Sequence, residues 1–504
     1  MTTASVPKVL ARFLLVSVAA AFQANAQITA DTNVRLKPII EHVDLVTDLN
    51  VVGDSLFVCT QPGLLLRKSL SSQSTTDYSV FLDLRSKVGA LGTNIPGLGG
   101  LGYPTPGTYD ERGLLGFTAS PRFASNGTFW VWYSAINEHS ASPPGFFQWL
   151  VSTSAPWDMS QYDHVDYLVE YQVQHGAPVF QRTVLKLKRP YFNHTGFQSL
   201  VWSAELGTLL LGLGDGGSEY DPNNLAQNDD QLSGKLLKID LAKLQGRDFT
   251  SSAPVATFTD LKNQHVPSGA FVPLLKGLRN PSKVSFARSD EDEEDEGGVI
   301  KTLANTGQDT IEFIHAFKGY GLNFGFRPWE GIFPTSFEFP DLNPPDVPFA
   351  VTGTRVISYG LEASRLPNYY RPMVEYTHLD PNLGPNANTG STIYKGTDIP
   401  GLKGQLVFTD WISFKTSPPH GLLMHAPING NNLQQVQTIH LFNVDFSRVL
   451  NPTKPFFYTS INTDAKGERI FLGVFNDLQF ITNQRDNPPG SSGLAGGVYE
   501  VLRN

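Results

Sequence analysis

From residue 44 to residue 502 the chain is written in short apolar runs that alternate with polar residues and stop at Gly, Pro, Asn or Asp. Alternation of period two over about four to eight residues marks half-buried strands, and the 3.6-residue period of helices is rare here. The stretch 192–240 is the clearest instance. Ser199–Ala204 and Thr208–Leu213 flank Glu205-Leu206-Gly207, which reads as strand, tight turn and strand, and Lys235–Ile239 adds another. Comparable runs lie at 55–60, 79–84, 128–134, 167–173, 181–188, 251–260, 271–276, 283–287, 298–303, 310–315, 391–394, 404–409, 420–424, 470–474, 479–481 and 497–502. Strands in clusters of about four, separated by longer irregular loops, suit a β-propeller. The pattern alone leaves a large β-sandwich open.

Composition narrows the reading. With 46 Gly, 35 Pro and 33 Phe among 504 residues, the chain favours one large all-β unit over several domains. Lys8 and Arg12, the apolar run 13–22 and Ala24-Asn25-Ala26 have the order of a secretory leader. The expected organisation is therefore a leader over 1–26 and one domain over 27–504, with insertions near 89–109 and 136–165. The expected location is extracellular or periplasmic, with no integral membrane contact. The net charge is −9, and loss of Lys8 and Arg12 makes the chain more acidic still. An acidic surface excludes nucleic acid and disfavours acidic polysaccharide; a neutral small molecule or a cation fits better. Cys59 is the sole cysteine, so intrachain disulfides, thiolate zinc sites and iron–sulfur clusters are excluded. It reads as a small buried hydrophobe. The seven acidic residues 290–296 read as a solvated loop tip.

Candidate chemistry gathers in short polar motifs: Asp110-Glu111-Arg112-Gly113, Asn193-His194-Thr195-Gly196, Gly214-Asp215-Gly216-Gly217, Gly277-Leu278-Arg279-Asn280-Pro281, Thr306-Gly307-Gln308-Asp309 with Glu312, Glu375-Tyr376-Thr377-His378 and Tyr394-Lys395-Gly396. In this order, across residues 40–503, they resemble the soluble quinoprotein sugar dehydrogenases of the glucose/sorbosone and aldose-sugar branch. They also resemble the Hedgehog-interacting-protein-like propellers. The resemblance implies a six-bladed β-propeller of four-stranded antiparallel blades. It implies oxidation of an aldose at its C1 hydroxyl to a lactone, with hydride passing to pyrroloquinoline quinone (PQQ). His194 would be the general base, as a neutral imidazole near its ordinary pKa accepts a proton at working pH. Arg279 would stabilise charge on the quinone. Glu111, Asn193, Asn280, Tyr376, His378 and Lys395 would line or hold the cofactor. Gly307 and Gln308 would offer carbonyl oxygens to calcium, which prefers hard ligands. The expected partners are a sugar substrate and an external electron acceptor, with a homodimer left open.

Other readings stand beside these. Asp215 among glycines reads as a turn residue whose carboxylate satisfies backbone donors. Arg279-Asn280-Pro281 also suits a strand-entry turn with an ion pair. Phe197 follows Gly196 where relatives carry a second glycine, which puts a ring beside the expected pocket. Asn126-Gly127-Thr128 and Asn193-His194-Thr195 are glycosylation sequons, and a glycan on Asn193 would block the site. A non-catalytic extracellular propeller that binds a protein or glycan is the alternative function. A calcium-dependent hydrolase on the same fold is a third.

Overall fold

The structure is a computed structural model that describes residues 30–504 apart from 90, 92–109, 144–156, 219, 288–297, 309–310, 335–336, 340–354, 358–364, 379, 381–382, 386, 477–489 and 492. The expected leader over 1–26, most of the 89–109 insertion, the acidic run at 290–296 and the strand expected at 479–481 lie outside the described residues.

The described residues form an all-β propeller. Three sheets have four antiparallel strands: Val46–Val52 to Ser79–Asp83, Leu114–Ala119 to Ala177–Arg189, and Pro281–Phe286 to Val374–Thr377. A fourth, from Leu200–Ser203 to Phe271–Lys276, gains a fifth strand, Leu322–Asn323, in parallel. The remaining large sheet has eight strands. This corrects the expectation of six four-stranded antiparallel blades: four blade-like sheets accompany one continuous sheet. The cause is the strand Ala30–Val43. It pairs antiparallel with Gly496–Arg503 on one side and parallel with His440–Asp445 on the other, which fuses what precedes and follows it. The strand was hidden in the sequence because Pro38 interrupts its ladder at a register shift. The stretch 251–260 also departs from the strand expected there. Thr257 caps a short helix, Phe258–Asn263, in a reciprocal box with Asp260, a Thr-x-x-Asp signal that outweighs the alternation around it.

Faces of adjacent sheets pack with large rings. Phe57 stacks across on Phe117 at 4.8 Å, Phe129 stacks on its cross-strand partner Tyr171 at 5.4 Å within one sheet, and Cys59 is buried in the same cluster. Burial pushes the Cys59 thiol well above its ordinary pKa, so it stays protonated and inert. Two polar plugs cross the space between inner strands. Gln198 donates to the carbonyls of Thr389 (3.0 Å) and Thr459 (3.2 Å). Deeper, the Lys283 ammonium meets Asp48 at 2.6 Å and Asn50 at 3.1 Å. Asp48 is fully buried, and backbone N–H groups of Leu49 and Phe117 complete its shell. Such a pair tolerates burial because each charge is met by the other and by hydrogen bonds.

His315 is the opposite case. It is fully buried, stacks on Phe324 at 3.8 Å, and neither ring nitrogen makes a hydrogen bond of good geometry. Burial lowers its pKa from 6.5 to about 3, against a marginal contribution from the Tyr370 backbone. The unfolded chain therefore binds a proton that the folded chain refuses. Stability from this residue is complete above pH 6.5 and falls away toward pH 3. Urea unfolding of wild type and His315→Phe checks this: wild type loses about 2 kcal/mol more than the variant between pH 7 and pH 5.

Candidate functional site

Several inner strands begin at one end of the molecule, and the loops feeding them bring the polar motifs together. Glu111 precedes Leu114–Ala119, His194 precedes Leu200–Ser203, and Arg279-Asn280 lead directly into Pro281–Phe286. Glu111 joins two of these loops. Its carboxylate accepts the His194 backbone N–H at 2.7 Å and the Asn280 side-chain amide at 3.2 Å. The Asn280 side-chain oxygen Oδ1 in turn accepts the Gly196 N–H at 3.1 Å.

His194 holds a left-handed backbone, φ 54°, and is 2 % exposed. Its Nδ1 lies 2.8 Å from Asp215 Oδ1, and Nε2 makes no hydrogen bond to a described residue. Burial drives the imidazole pKa well below its ordinary value; Arg279 and Arg189 add to this and Glu111 opposes it. Burial also raises the Asp215 carboxyl, to about 7, against Arg279, the Gly217 N–H and Arg189. The reading of Asp215 as a turn residue was thus incomplete. It accepts the Gly217 N–H at 2.8 Å, as a turn aspartate does, and holds the histidine ring with the same oxygen. Gly214 permits this approach, because a Cβ there would collide with the His194 carbonyl oxygen.

Below the histidine runs a buried chain of opposite charges that the sequence did not reveal. Arg112 grips Asp110 (2.7 Å) and Asp163 (3.1 Å); His164 bridges Asp163 (2.8 Å) and Asp166 (3.1 Å); Arg189 faces Asp166 at 3.4 Å. Arg189 then donates to the His194 carbonyl. Burial opposes protonation of His164, yet the two aspartates outweigh it and raise its pKa. The only signal in the sequence was Asp163 and Asp166 inside an apolar strand pattern, with nothing to show what they pair with.

The Arg279 guanidinium lies at the edge of the same site. Its Nε donates to Gln308 Oε1 at 2.9 Å and a terminal nitrogen to the Thr306 carbonyl at 3.2 Å. The 307–308 turn is held by carboxylates: Gly307 N–H donates to Glu312 at 3.0 Å and Gln308 N–H to Glu330 at 2.9 Å. Glu312 also receives His378 Nε2 at 2.8 Å, which raises the His378 pKa despite the burial that opposes it. The Tyr376 hydroxyl reaches Asp410 at 3.2 Å, and burial pushes its pKa well up. Asn193 spends both side-chain atoms on the Ser218 backbone and is 3 % exposed, so its sequon is closed in the folded chain. The Phe197 ring packs against the core cluster of Trp130 and Leu213.

Glu111, Asn193, His194, Arg279, Asn280, Gly307 and Gln308 therefore share one neighbourhood, with Tyr376 and His378 joined through Glu312 and Asp410. Lys395 does not. The strand Asn388–Ile393 starts at this end, where the Asn388 N–H meets Glu312 at 2.9 Å, and runs away from it. At about 3.3 Å per residue, Lys395 stands roughly 20 Å off. There it packs beside Gly467 and lines a separate cavity.

The fit to a quinone and calcium is thus uneven. Arg279 and Asn280 supply the cation and amide, and a backbone carbonyl of the 307–308 turn is the kind of hard oxygen that calcium prefers. No second cation comes with Lys395. Among the described residues no group of three or more His, Cys, Asp or Glu side chains is placed to hold a metal.

Known proteins resemble this chain in two ways. In fold it is similar to an oxidoreductase from Thermus thermophilus assigned as a glucose dehydrogenase, with a TM-score of 0.52 and 14 % identity over 93 % of this chain and 100 % of that one. It is similar to the soluble aldose sugar dehydrogenase of Escherichia coli in its apo form, with a TM-score of 0.50 and 14 % identity over 94 % of this chain and all of the other. In sequence it is similar to the HIPL1 protein of Arabidopsis thaliana, 25 % identical over 334 residues, 60 % of this chain and 43 % of HIPL1. The HIPL2 protein of the same plant is 25 % identical over 331 residues, 60 % of this chain and 42 % of HIPL2. The match thus spans less than half the length of these curated relatives. No protein-family profile matches the chain. Among the described residues no helix is long and apolar enough to cross a membrane.

Gly214→Ala tests the packing of the site. The added methyl meets backbone on two sides, the His194 and Arg279 carbonyls, and neither can yield cheaply. The expected loss is about 3 kcal/mol or more in urea unfolding, while Gly207→Ala, in an open turn with nothing within 4 Å, costs about 1 kcal/mol for its positive φ.

Proposed function

We propose that this chain is a secreted dehydrogenase that oxidises the C1 hydroxyl of an aldose to the lactone. The observation that carries the reading is the His194–Asp215 pair: Nδ1 is held at 2.8 Å and Nε2 is left without a partner, beside Arg279. A neutral imidazole fixed in this way presents one basic nitrogen in one direction. The likeness in fold to sugar dehydrogenases and the order of the polar motifs support it.

In this reading the sugar hydroxyl approaches Nε2, which takes its proton while the C1 hydride leaves with the bonding electron pair. PQQ, when bound, supplies the two-electron acceptor for that hydride. Arg279 holds positive charge where negative charge grows. Asp215 keeps the Nδ1–H tautomer and steadies the imidazolium that forms. Glu111 and Asn280 fix the His194 loop by their contacts to its backbone. The Gly307 and Gln308 carbonyls would hold calcium, and Tyr376 and His378 would line the far wall. Lys395 has no part here. An external acceptor must reoxidise the cofactor.

Reconstitution with PQQ and calcium, followed by dye reduction with a panel of aldoses, tests the reading. Turnover is expected in wild type, and loss of both turnover and cofactor binding would end it. His194→Ala lowers kcat by about 10²–10⁴. Asp215→Asn does the same, because an amide donor to Nδ1 moves the ring proton to Nε2. The pH profile carries the sign. The pair accepts a proton only once Asp215 is ionised, so wild-type kcat/KM rises through about pH 7 and the variant lacks that limb.

A further inference from the structure

At the end of the molecule away from His194, the far ends of the inner strands enclose a second cavity of about 560 Å³. That volume lies within the range of small-molecule sites, about 300–1,000 Å³. Its wall includes Asn50, Thr118, Trp202, Ser285, Thr392 and Asn462. Both plugs described above, Gln198 between Thr389 and Thr459 and Lys283 on Asp48 and Asn50, separate it from the His194 loops. Hydrogen-bonded polar side chains therefore lie between the cavity and the first site.

Its chemistry selects a ligand class. The charges of the lining are matched: Lys283 by Asp48 at 2.6 Å and Glu205 by Lys301 at 3.0 Å, while Lys395 and Asp464 bring one charge of each sign. All three ammonium protons of Lys283 have acceptors, in Asp48, Asn50 and the Leu49 carbonyl. Lys283 and Glu205 are thus neutralised in pairs, and the two remaining charges of the lining sum to zero, so the cavity carries no net charge to favour an anion or a cation. Hydroxyls remain available. Ser285 donates to the Ser391 carbonyl at 2.9 Å and keeps its acceptor lone pairs. Thr392 and Thr463 share one proton at 3.3 Å, which leaves the pair a further donor and acceptors. Trp202, half-buried and stacked on Trp130 at 5.7 Å, adds a rigid apolar surface. Hydroxyls and amides around an indole, with no net charge, suit a ring that is polar at its edge and apolar on its face.

We propose that this cavity binds a neutral saccharide of one or two rings, independently of His194. The inference uses none of the residues assigned to proton or hydride transfer, so it stands or falls apart from the proposed activity. Calorimetric titration of the full chain with maltose and with gluconate tests it, using wild type, His194→Ala, Trp202→Leu and Ser285→Ala, each first checked by thermal unfolding. Maltose is expected to bind wild type and His194→Ala equally and to weaken about tenfold in each wall variant, the scale of one lost contact. If Trp202→Leu does not fold, Ser285→Ala carries the comparison. Maltose binding that vanishes in His194→Ala but survives in the wall variants would assign the sugar to the first site and overturn the proposal. Binding of gluconate alone, or no maltose binding, would overturn it as well.

Discussion

The run of alternating charge from Asp110 through Arg112, Asp163, His164 and Asp166 to Arg189 is the interaction on which the polar end of this molecule depends. Each of these groups is almost fully buried, and a buried charge is tolerated only when it is met. The pairing is sequential, so no member can leave without stranding its neighbour. One end of the run lies next to Glu111, whose carboxylate receives the His194 N–H; the other end donates to the His194 carbonyl. A residue held at both its N–H and its C=O keeps its left-handed turn. The ring then has little choice but to meet Asp215.

The same logic divides the interior along its length. Gln198 and the Lys283–Asp48 pair fill the middle with satisfied polar groups, so the two ends are chemically separate compartments. At one end buried carboxylates and guanidinium groups perturb the protonation of a histidine. At the other the charges cancel and hydroxyls dominate. One scaffold therefore holds two environments of different polarity, one at each end of the inner strands.

Much of this was legible in the sequence. Strand alternation gave the all-β architecture, and the motifs at 111, 193–194, 279–280 and 307–308 do converge in space. The sequence was silent where a feature depends on a distant partner. Ala30–Val43 has a proline and mixed polarity, and it becomes a central strand only because Gly496–Arg503 and His440–Asp445 flank it. Asp215 looked like turn chemistry because its local role is turn chemistry; its second contact comes from a residue 21 positions earlier. Lys395 carried a suggestive motif, yet strand direction takes it to the opposite end. Spacing reports which residues share a strand, and only the register between strands reports which share a site.

The place of the first strand also bears on how the chain must assemble. Ala30–Val43 finds its antiparallel partner in the last strand, with Val34 opposite Arg503. Contact between strands so far apart in sequence is slow to form, since a long loop must close first. During synthesis the intervening sheets can order as they emerge, while Ala30–Val43 lacks its antiparallel partner, and keeps one edge open, until Gly496–Arg503 arrives. Loss of Gly496–Arg503 would thus be felt at Ala30–Val43, and this seam closes after the sheets between them have formed.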